Sequence, residues 1–363
     1  MPPPRILLGR PLLLVCGFIA VCLLLANLAR SEQPVELGRV AWLRDYDAAR
    51  KLSAKSGKPM LVLFDEVPGC ATCQQFGNGP LSHPLVVDAA QEFIPVAVYN
   101  NVSGKDAVWL KRFEEPAWNN PIVRFVSAEE RDLIPRKSGV YSVGEVFSRM
   151  VMSLERAERP VPEYLKIAKA EYAPAKRETA TFAMFCYWEG EKRLGDIDGV
   201  IGTRIGMLKG REVVELDFDP TVVPYESLVK QAMQMDCAHT VFARSDEQAQ
   251  VARKLAGNRV AQTDEAVDTG TQQQYHLAHY KQYYLLPLSP LQATRANASI
   301  ANRQRPDHLL SPSQLKLRDR LQQLLDDPNG AQRLAKLKPD RSSAGLVDYA
   351  RELSSALQPE QGK

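Results

Sequence analysis

Two short stretches carry the reactive side chains of this chain. In "DEVPGCATCQQF", Cys70 and Cys73 stand in C-x-x-C spacing; in "FAMFCYWEGE", Cys186 stands among aromatic residues at the end of a short apolar run. Two cysteines three apart on the first turn of a helix can close into a disulfide without large strain. The free N–H groups and positive dipole end of that turn stabilise a thiolate on the first of them. Cys70 is therefore the expected attacking thiol and Cys73 the resolving one. A zinc half-site is the rival use of this spacing, but no second C-x-x-C and no nearby Cys/His pair completes four ligands. A plain structural disulfide closing so short a loop would add little stability. At Cys186 the choice lies between a buried space-filler and a nucleophile whose neighbours Tyr187 and Trp188 grip a substrate.

The elements around the dithiol alternate. "WLRDYDAARKLSAKS" has a helical period and stops at Gly57; "MLVLF" reads as a buried strand leading into the C-x-x-C. A helix "PLVVDAAQEF", a strand "IPVAVYN", and then "NNPIVRFVSAEERDLIP" as a strand, a polar turn and a short returning strand follow. The helical "VGEVFSRMVMSL" comes next. With "AKSGKP" ahead of the strand and the dithiol after it, residues 39–172 resemble a thioredoxin-like domain. The resemblance implies redox work for Cys70 and Cys73 and sets Asn120–Pro121 on the family's cis-proline, so that Pro121 would shape a substrate groove beside the disulfide. The string here is "PGCATC" rather than "WCGPC", which leaves the direction of electron flow open.

After the polar, helix-breaking "APAKRETA", residues 178–300 read as strand, helix, two strands around Gly210, helix and a last strand "HTVFA". This βαββαβ order is that of ferredoxin-like α+β folds, which implies no function by itself. The segment "FCYWEGEKRLGDIDGVIGTRIG" resembles A-type peptide methionine sulfoxide reductases, with Cys186, Tyr187, Trp188, Glu191, Gly199, Val200, Thr203 and Gly206 on the family's hallmark positions. "REVVELDFDPTVVPYESLV" extends the likeness, setting Glu212 on the catalytic glutamate and Asp219, Pro220 and Tyr225 on structural positions. The resemblance implies that a thiolate of Cys186 attacks a sulfoxide sulfur and becomes a sulfenic acid. Glu212 would donate the proton that the departing oxygen takes, and Tyr187 and Trp188 would form a cup for the methyl group. Without the family, Tyr187 and Trp188 read as core aromatics and Glu212 as a strand-edge surface residue.

Several departures stand out. Phe185 and Glu189 replace two glycines of the hallmark, with expected crowding of the turn and a negative charge beside the thiolate. The segment ahead of Glu212 is nearly absent, together with a tyrosine and a histidine. The later tyrosine motif is echoed twice, in "QYHLAHY" and "HYKQYYL", so Tyr275, Tyr280 and Tyr284 compete for one oxygen-binding role. Cys237, in "MQMDCAH", is either the thiol that resolves a sulfenate on Cys186 or a thiol buried beside the last strand.

The rest of the chain bounds these readings. From Ser311, an expected helix N-cap, residues 301–363 form a polar, helical tail with Leu315, Leu317, Leu321 and Leu324 in a stripe, broken at Asp327–Gly330. No chemistry is visible there. At the other end, Pro11 to Ala29 is apolar enough to span a bilayer and follows Arg5 and Arg10, so residues 1–30 are expected to be an uncleaved anchor, or else a signal peptide, with the bulk on the extracytoplasmic (periplasmic) side. Cys16 and Cys22 fall inside that segment as packing residues. The net charge of +3, from 46 basic and 43 acidic residues, and the lack of basic runs with interleaved aromatics give no ground for nucleic-acid binding. No cofactor motif and no completed metal site are visible. The expected fold is thus an α/β thioredoxin-like domain plus an α+β ferredoxin-like domain, with an N-terminal transmembrane helix and a helical C-terminal tail. The expected activity is reduction of methionine sulfoxide in a peptide or protein by Cys186, recycled by Cys70 and Cys73, which a membrane or extracytoplasmic thiol reductant must in turn reduce. Fusion would give that exchange a high effective concentration if the linker lets the sites meet. The alternative is an extracytoplasmic thiol–disulfide exchange protein whose second domain only binds partners.

Overall fold

The structure is a computed structural model that describes residues 33–269, 273–342 and 345–358. The apolar segment expected to anchor the chain lies outside the described residues; among those described, no helix is long and apolar enough to cross a membrane.

The first domain is built on α1 (Tyr46–Ser56), β1 (Met60–Asp65), α2 (Ala71–Asn78), α3 (Pro84–Ala89), β2 (Ile94–Tyr99), α4 (Lys105–Arg112), β3 (Ile122–Val126), α5 (Val143–Arg156) and α6 (Glu163–Tyr172). Its sheet has the order β2-β1-β3, with β1 parallel to β2 and antiparallel to β3. Every residue of β1 is buried, because the strand is central and both of its faces are covered. Leu61 and Leu63 join Phe125, Phe147 and Leu165 on one side; Met60, Val62 and Phe64 join Tyr46, Val98 and Ile122 on the other. The expected returning strand after β3 is reduced to a single bridge, Val126 to Asp132, since the segment beyond it is drawn away by turns.

The second domain runs β4 (Glu178–Met184), α7 (Tyr187–Leu194), β5 (Val200–Leu208), β6 (Arg211–Phe218), α8 (Tyr225–Met233), β7 (Ala238–Ala243), α9 (Asp246–Ala256) and β8 (Val260–Gln262). The strand order is β5-β6-β4-β7-β8. Its first four strands follow the βαββαβ path; α9 and the short β8 extend the sheet, parallel to β7, beyond the strand at which the sequence pattern ends it. Alternate residues of β4 explain the two faces: Ala180, Phe182 and Met184 enter the core under the helices. Thr179 and Thr181 turn to the opposite face, where Arg204 and Arg244 pair with Glu215 at 3.0 and 2.7 Å. The outer edge of β5 does not stay open. Met207 exchanges backbone bonds with Asp268 (2.9 and 3.0 Å), and the Gln273 amide both accepts from Ile205 N (2.9 Å) and donates to Ile205 O (2.8 Å).

The remaining helices are α10 (Tyr275–Ala278), α11 (Lys281–Tyr284), α12 (Pro290–Ala301), α13 (Pro312–Asp326), α14 (Pro328–Leu334) and α15 (Gly345–Ala356). Ser311 caps α13 in a reciprocal capping box with Gln314, which satisfies two otherwise orphaned donors. These helices share one apolar core that includes Leu277, Leu291, Leu321, Leu334 and Leu353, so helical packing runs straight across the 300/301 boundary expected from sequence. Ile167 of α6 enters the same core.

Candidate functional site

The first thiol pair sits where the strand-to-helix turn was expected. Cys70 is the N-cap residue of α2 and is exposed; Cys73, one turn in, is buried, with the two sulfurs 3.2 Å apart. The backbone N–H of Cys73, the Cys73 thiol and the N–H of Thr72 all favour the charged form of Cys70 and hold its pKa below the ordinary thiol range, as a helix N-terminus should. Cys73 moves the other way, pushed up first by burial, then by Cys70 and Asp65. The two cysteines are thus unequal: an exposed thiol in front whose charged form is favoured, and a buried thiol behind whose charged form is disfavoured. Asn120 places its Oδ1 3.2 Å from Cys73 Sγ, and the Asn120–Pro121 bond is cis. This brings the β3 approach against the dithiol, although Pro121 itself is buried.

Two acids that the sequence pattern did not single out complete this region. Asp65, the last residue of β1, is fully buried and its carboxyl is raised to about 7, burial being the main cause. It stands behind Cys73 as a group able to take up that thiol's proton when Cys73 attacks. Glu36, also buried, accepts the Gly69 N–H at 2.8 Å. Gly69 has to be glycine: a Cβ there would lie 2.2 Å from Glu66 O and 2.8 Å from Cys73 Cβ.

The second site forms where β4 gives way to α7. Cys186 is the N-cap residue of α7, half-buried, in extended backbone conformation. Glu212, near the start of β6, reaches across so that its Oε2 accepts the Tyr187 N–H at 3.1 Å. The carboxylate therefore lies against the residue that follows the thiol, although it comes from a different strand. Cys237 belongs to the same place: its carbonyl accepts the Phe185 N–H (2.8 Å), and its Sγ lies 3.8 Å from Met184 Sδ. Burial, then the charge of Cys186, raises its thiol, so Cys237 is both half-buried and a neighbour of Cys186.

Tyr187 and Trp188 are half-buried and pack against the core of this domain; core packing and a partly open aromatic surface coexist in the same two rings. Trp188 stacks on Tyr275 with centroids 4.1 Å apart, and its buried Nε1 has no hydrogen-bond partner among the described residues. Glu191 explains why Tyr275 is there. Buried beneath α7, with its carboxyl raised to about 7 mainly by burial, it accepts from Gln274 N (3.2 Å) and Asn297 Nδ2 (3.3 Å) and so fixes the start of α10.

The other two tyrosines are placed elsewhere. Tyr280 is exposed and lines a surface cleft with Arg303 and Pro306. Tyr284 has the Lys281 ammonium 4.9 Å and the Arg341 guanidinium 5.0 Å from its ring centre. α10 and α11 turn the chain between Tyr275 and Tyr280, so among the described residues it is Tyr275, of the three tyrosines, that stacks on the aromatic pair. The expected obstacles also look different in three dimensions. Phe185 is 71% exposed, its ring edge-on to His239 at 5.1 Å, so it leaves the turn uncrowded. Glu189 pairs with Lys192 at 2.8 Å, which offsets its charge.

Residues 41–128 match a family model described as thioredoxin-like. Peptide methionine sulfoxide reductases are similar to a short part of the chain. The one from Drosophila melanogaster is 32% identical over 78 residues, covering 18% of this chain and 32% of the relative. That from Methanothermobacter thermautotrophicus is 35% identical over 72 residues (15% and 43%), and that from Methanococcus maripaludis 30% over 73 residues (15% and 46%). The chain spans less than half the length of these curated relatives. It therefore carries a thioredoxin-like domain together with a short stretch of reductase likeness, and both resemblances point to thiol-based redox chemistry.

Proposed function

We propose that this protein reduces methionine sulfoxide in peptides or proteins, with Cys186 as nucleophile and the Cys70/Cys73 dithiol as the source of electrons. The observation that supports this most is the contact of Glu212 with the Tyr187 N–H. It puts an acid beside the cysteine at a helix N-terminus, where the chemistry requires one. The Cys186 thiolate attacks the sulfoxide sulfur while the oxygen takes a proton from Glu212; the thioether leaves and Cys186 carries the oxygen as a sulfenic acid. The Cys237 thiol then attacks Cys186, forming a Cys186–Cys237 disulfide and releasing water. Cys70 attacks that disulfide and Cys73 closes on Cys70, returning Cys186 and Cys237 to thiols. The Cys70–Cys73 disulfide must be reduced from outside, by a membrane or extracytoplasmic reductant if the chain is anchored as its N-terminal segment suggests.

The test is an assay of the purified chain with a dithiol reductant on a methionine sulfoxide peptide. Cys186→Ser should abolish turnover and Glu212→Gln should lower kcat by about a hundredfold or more, with the fold intact by circular dichroism. Cys70→Ser should leave turnover with the small dithiol intact and remove only recycling through the first domain. An inactive native chain would overturn the reading and leave a thiol–disulfide exchange protein.

A further inference from the structure

The turn that leads into α2 gathers more donors than dithiol exchange uses. One carboxylate oxygen of Glu66 and the sulfurs of Cys70 and Cys73 all lie within 4.8 Å of one another. The turn that folds Glu66 back is held from several directions. Asn101 Oδ1 accepts the Val67 N–H (3.2 Å), Asn101 Nδ2 donates to Pro68 O (3.3 Å), and the buried Glu36 holds the Gly69 N–H. The turn is packed so closely at Gly69 that a Cβ there would meet both Glu66 O and Cys73 Cβ. Glu66 is half-buried and Cys70 is exposed, with Cys73 buried behind them, so a cation would enter from the side of Glu66 and Cys70.

We propose that Glu66, Cys70 and Cys73 in the reduced protein form a binding site for a thiophilic divalent cation of the zinc type, with solvent as the fourth ligand. The donor chemistry selects the class. Two thiolates exclude hard cations such as magnesium and calcium, which take oxygen ligands. With metal–sulfur bonds of about 2.3 Å at a tetrahedral angle, the sulfurs would stand ~3.8 Å apart. They are 3.2 Å apart now, so a small rotation of the exposed Cys70 side chain suffices. A linear two-sulfur site would need a wider separation and would leave Glu66 unused. Binding forms two metal–sulfur bonds, displaces the proton of each sulfur that still carries one, and transfers no electron. A Cys70–Cys73 disulfide has no thiolate to offer, so the cation and the oxidised state exclude one another. An occupied site takes the dithiol out of exchange.

Cadmium serves as the probe, added to the reduced full-length chain. The thiolate-to-metal absorption is followed while alkylation of each cysteine is mapped by mass spectrometry. Exposed Cys70 should be protected by the metal, and prior oxidation of the Cys70/Cys73 pair should abolish the thiolate-to-metal absorption. Glu66→Gln, folded by circular dichroism, should weaken cadmium binding at these two cysteines by about tenfold or more. If Cys70 reacts equally fast with and without cadmium, the site does not exist, a result that requires no variant. If Glu66→Gln binds as tightly as the native chain, the metal is held by a bare dithiol and the three-donor site is wrong.

Discussion

Asp65 is fully buried at the end of β1, and burial lifts its carboxyl to about 7. In the unfolded chain the same group titrates near ~3.9. Between those values the folded protein holds a proton that the unfolded chain has lost, so this contribution to stability is complete below the unfolded value and disappears as pH rises toward 7. Asp65→Asn should therefore gain stability relative to the native chain as pH rises from 5 to 8, by roughly 2–4 kcal/mol. Urea unfolding at the two pH values measures this, and an equal difference at both would refute it. The dithiol was readable from its spacing because the turn is local. Asp65 was not: "MLVLF" ends one residue earlier as an apolar run, and an acid after a strand is ordinarily solvated. Only the sealing of both sheet faces buries it. Phe185 and Glu189 were visible as substitutions in the hallmark, but the outward turn of one and the Lys192 partner of the other depend on the neighbouring strand and helix turn.

At the scale of elements, α7 does more than present Cys186. Its Glu191 takes hold of the start of α10 and brings Tyr275 onto Trp188. Ring pairs of this kind contribute about 0.5–1.5 kcal/mol beyond burial. Tyr275→Ala is expected to raise KM for a sulfoxide peptide by about three- to tenfold, while Tyr280→Phe leaves kcat and KM unchanged. Steady-state kinetics of the two variants decide which tyrosine serves the site, and the reverse pattern would return the role to Tyr280. The strands of the second domain were legible because their period of two is strong, and the path β4 to β7 follows from it. The α9–β8 unit also carried readable signals: Ser245 caps α9 through Gln248 N, and Gly257 ends it. The choice among three tyrosines had no such local signal, because a contact from Glu191 to Gln274 spans too much sequence to be seen in a motif.

For the whole molecule, the joint between the domains bears directly on recycling. Glu171 at the end of α6 accepts from Ser289 Oγ (2.5 Å) and Leu291 N (3.0 Å), capping α12, and Asp88 accepts from Ser313 Oγ at 2.5 Å. The connection over residues 173–177 is not a loose tether: Asp219 holds Ala175 N at 2.8 Å, and Arg177 donates to Glu171 O at 3.1 Å. Among the described residues, no hydrogen bond, ion pair or ring contact joins the dithiol's surroundings to those of Cys186. If this joint keeps the two thiol sites apart, exchange passes between chains. Single-turnover oxidation of Cys70 and Cys73 by a Cys186–Cys237 disulfide should then be second order in protein; a rate independent of concentration would show that one chain suffices. The segment that carries Tyr275 also bears on how this protein can be dissected. Asp268 and Gln273 occupy the free side of β5, a nine-residue strand that would otherwise offer its unpaired backbone groups to any other extended chain. A fragment cut just after β8 would bare that edge to strand-to-strand clumping and would take Tyr275 away from Trp188 in the same stroke.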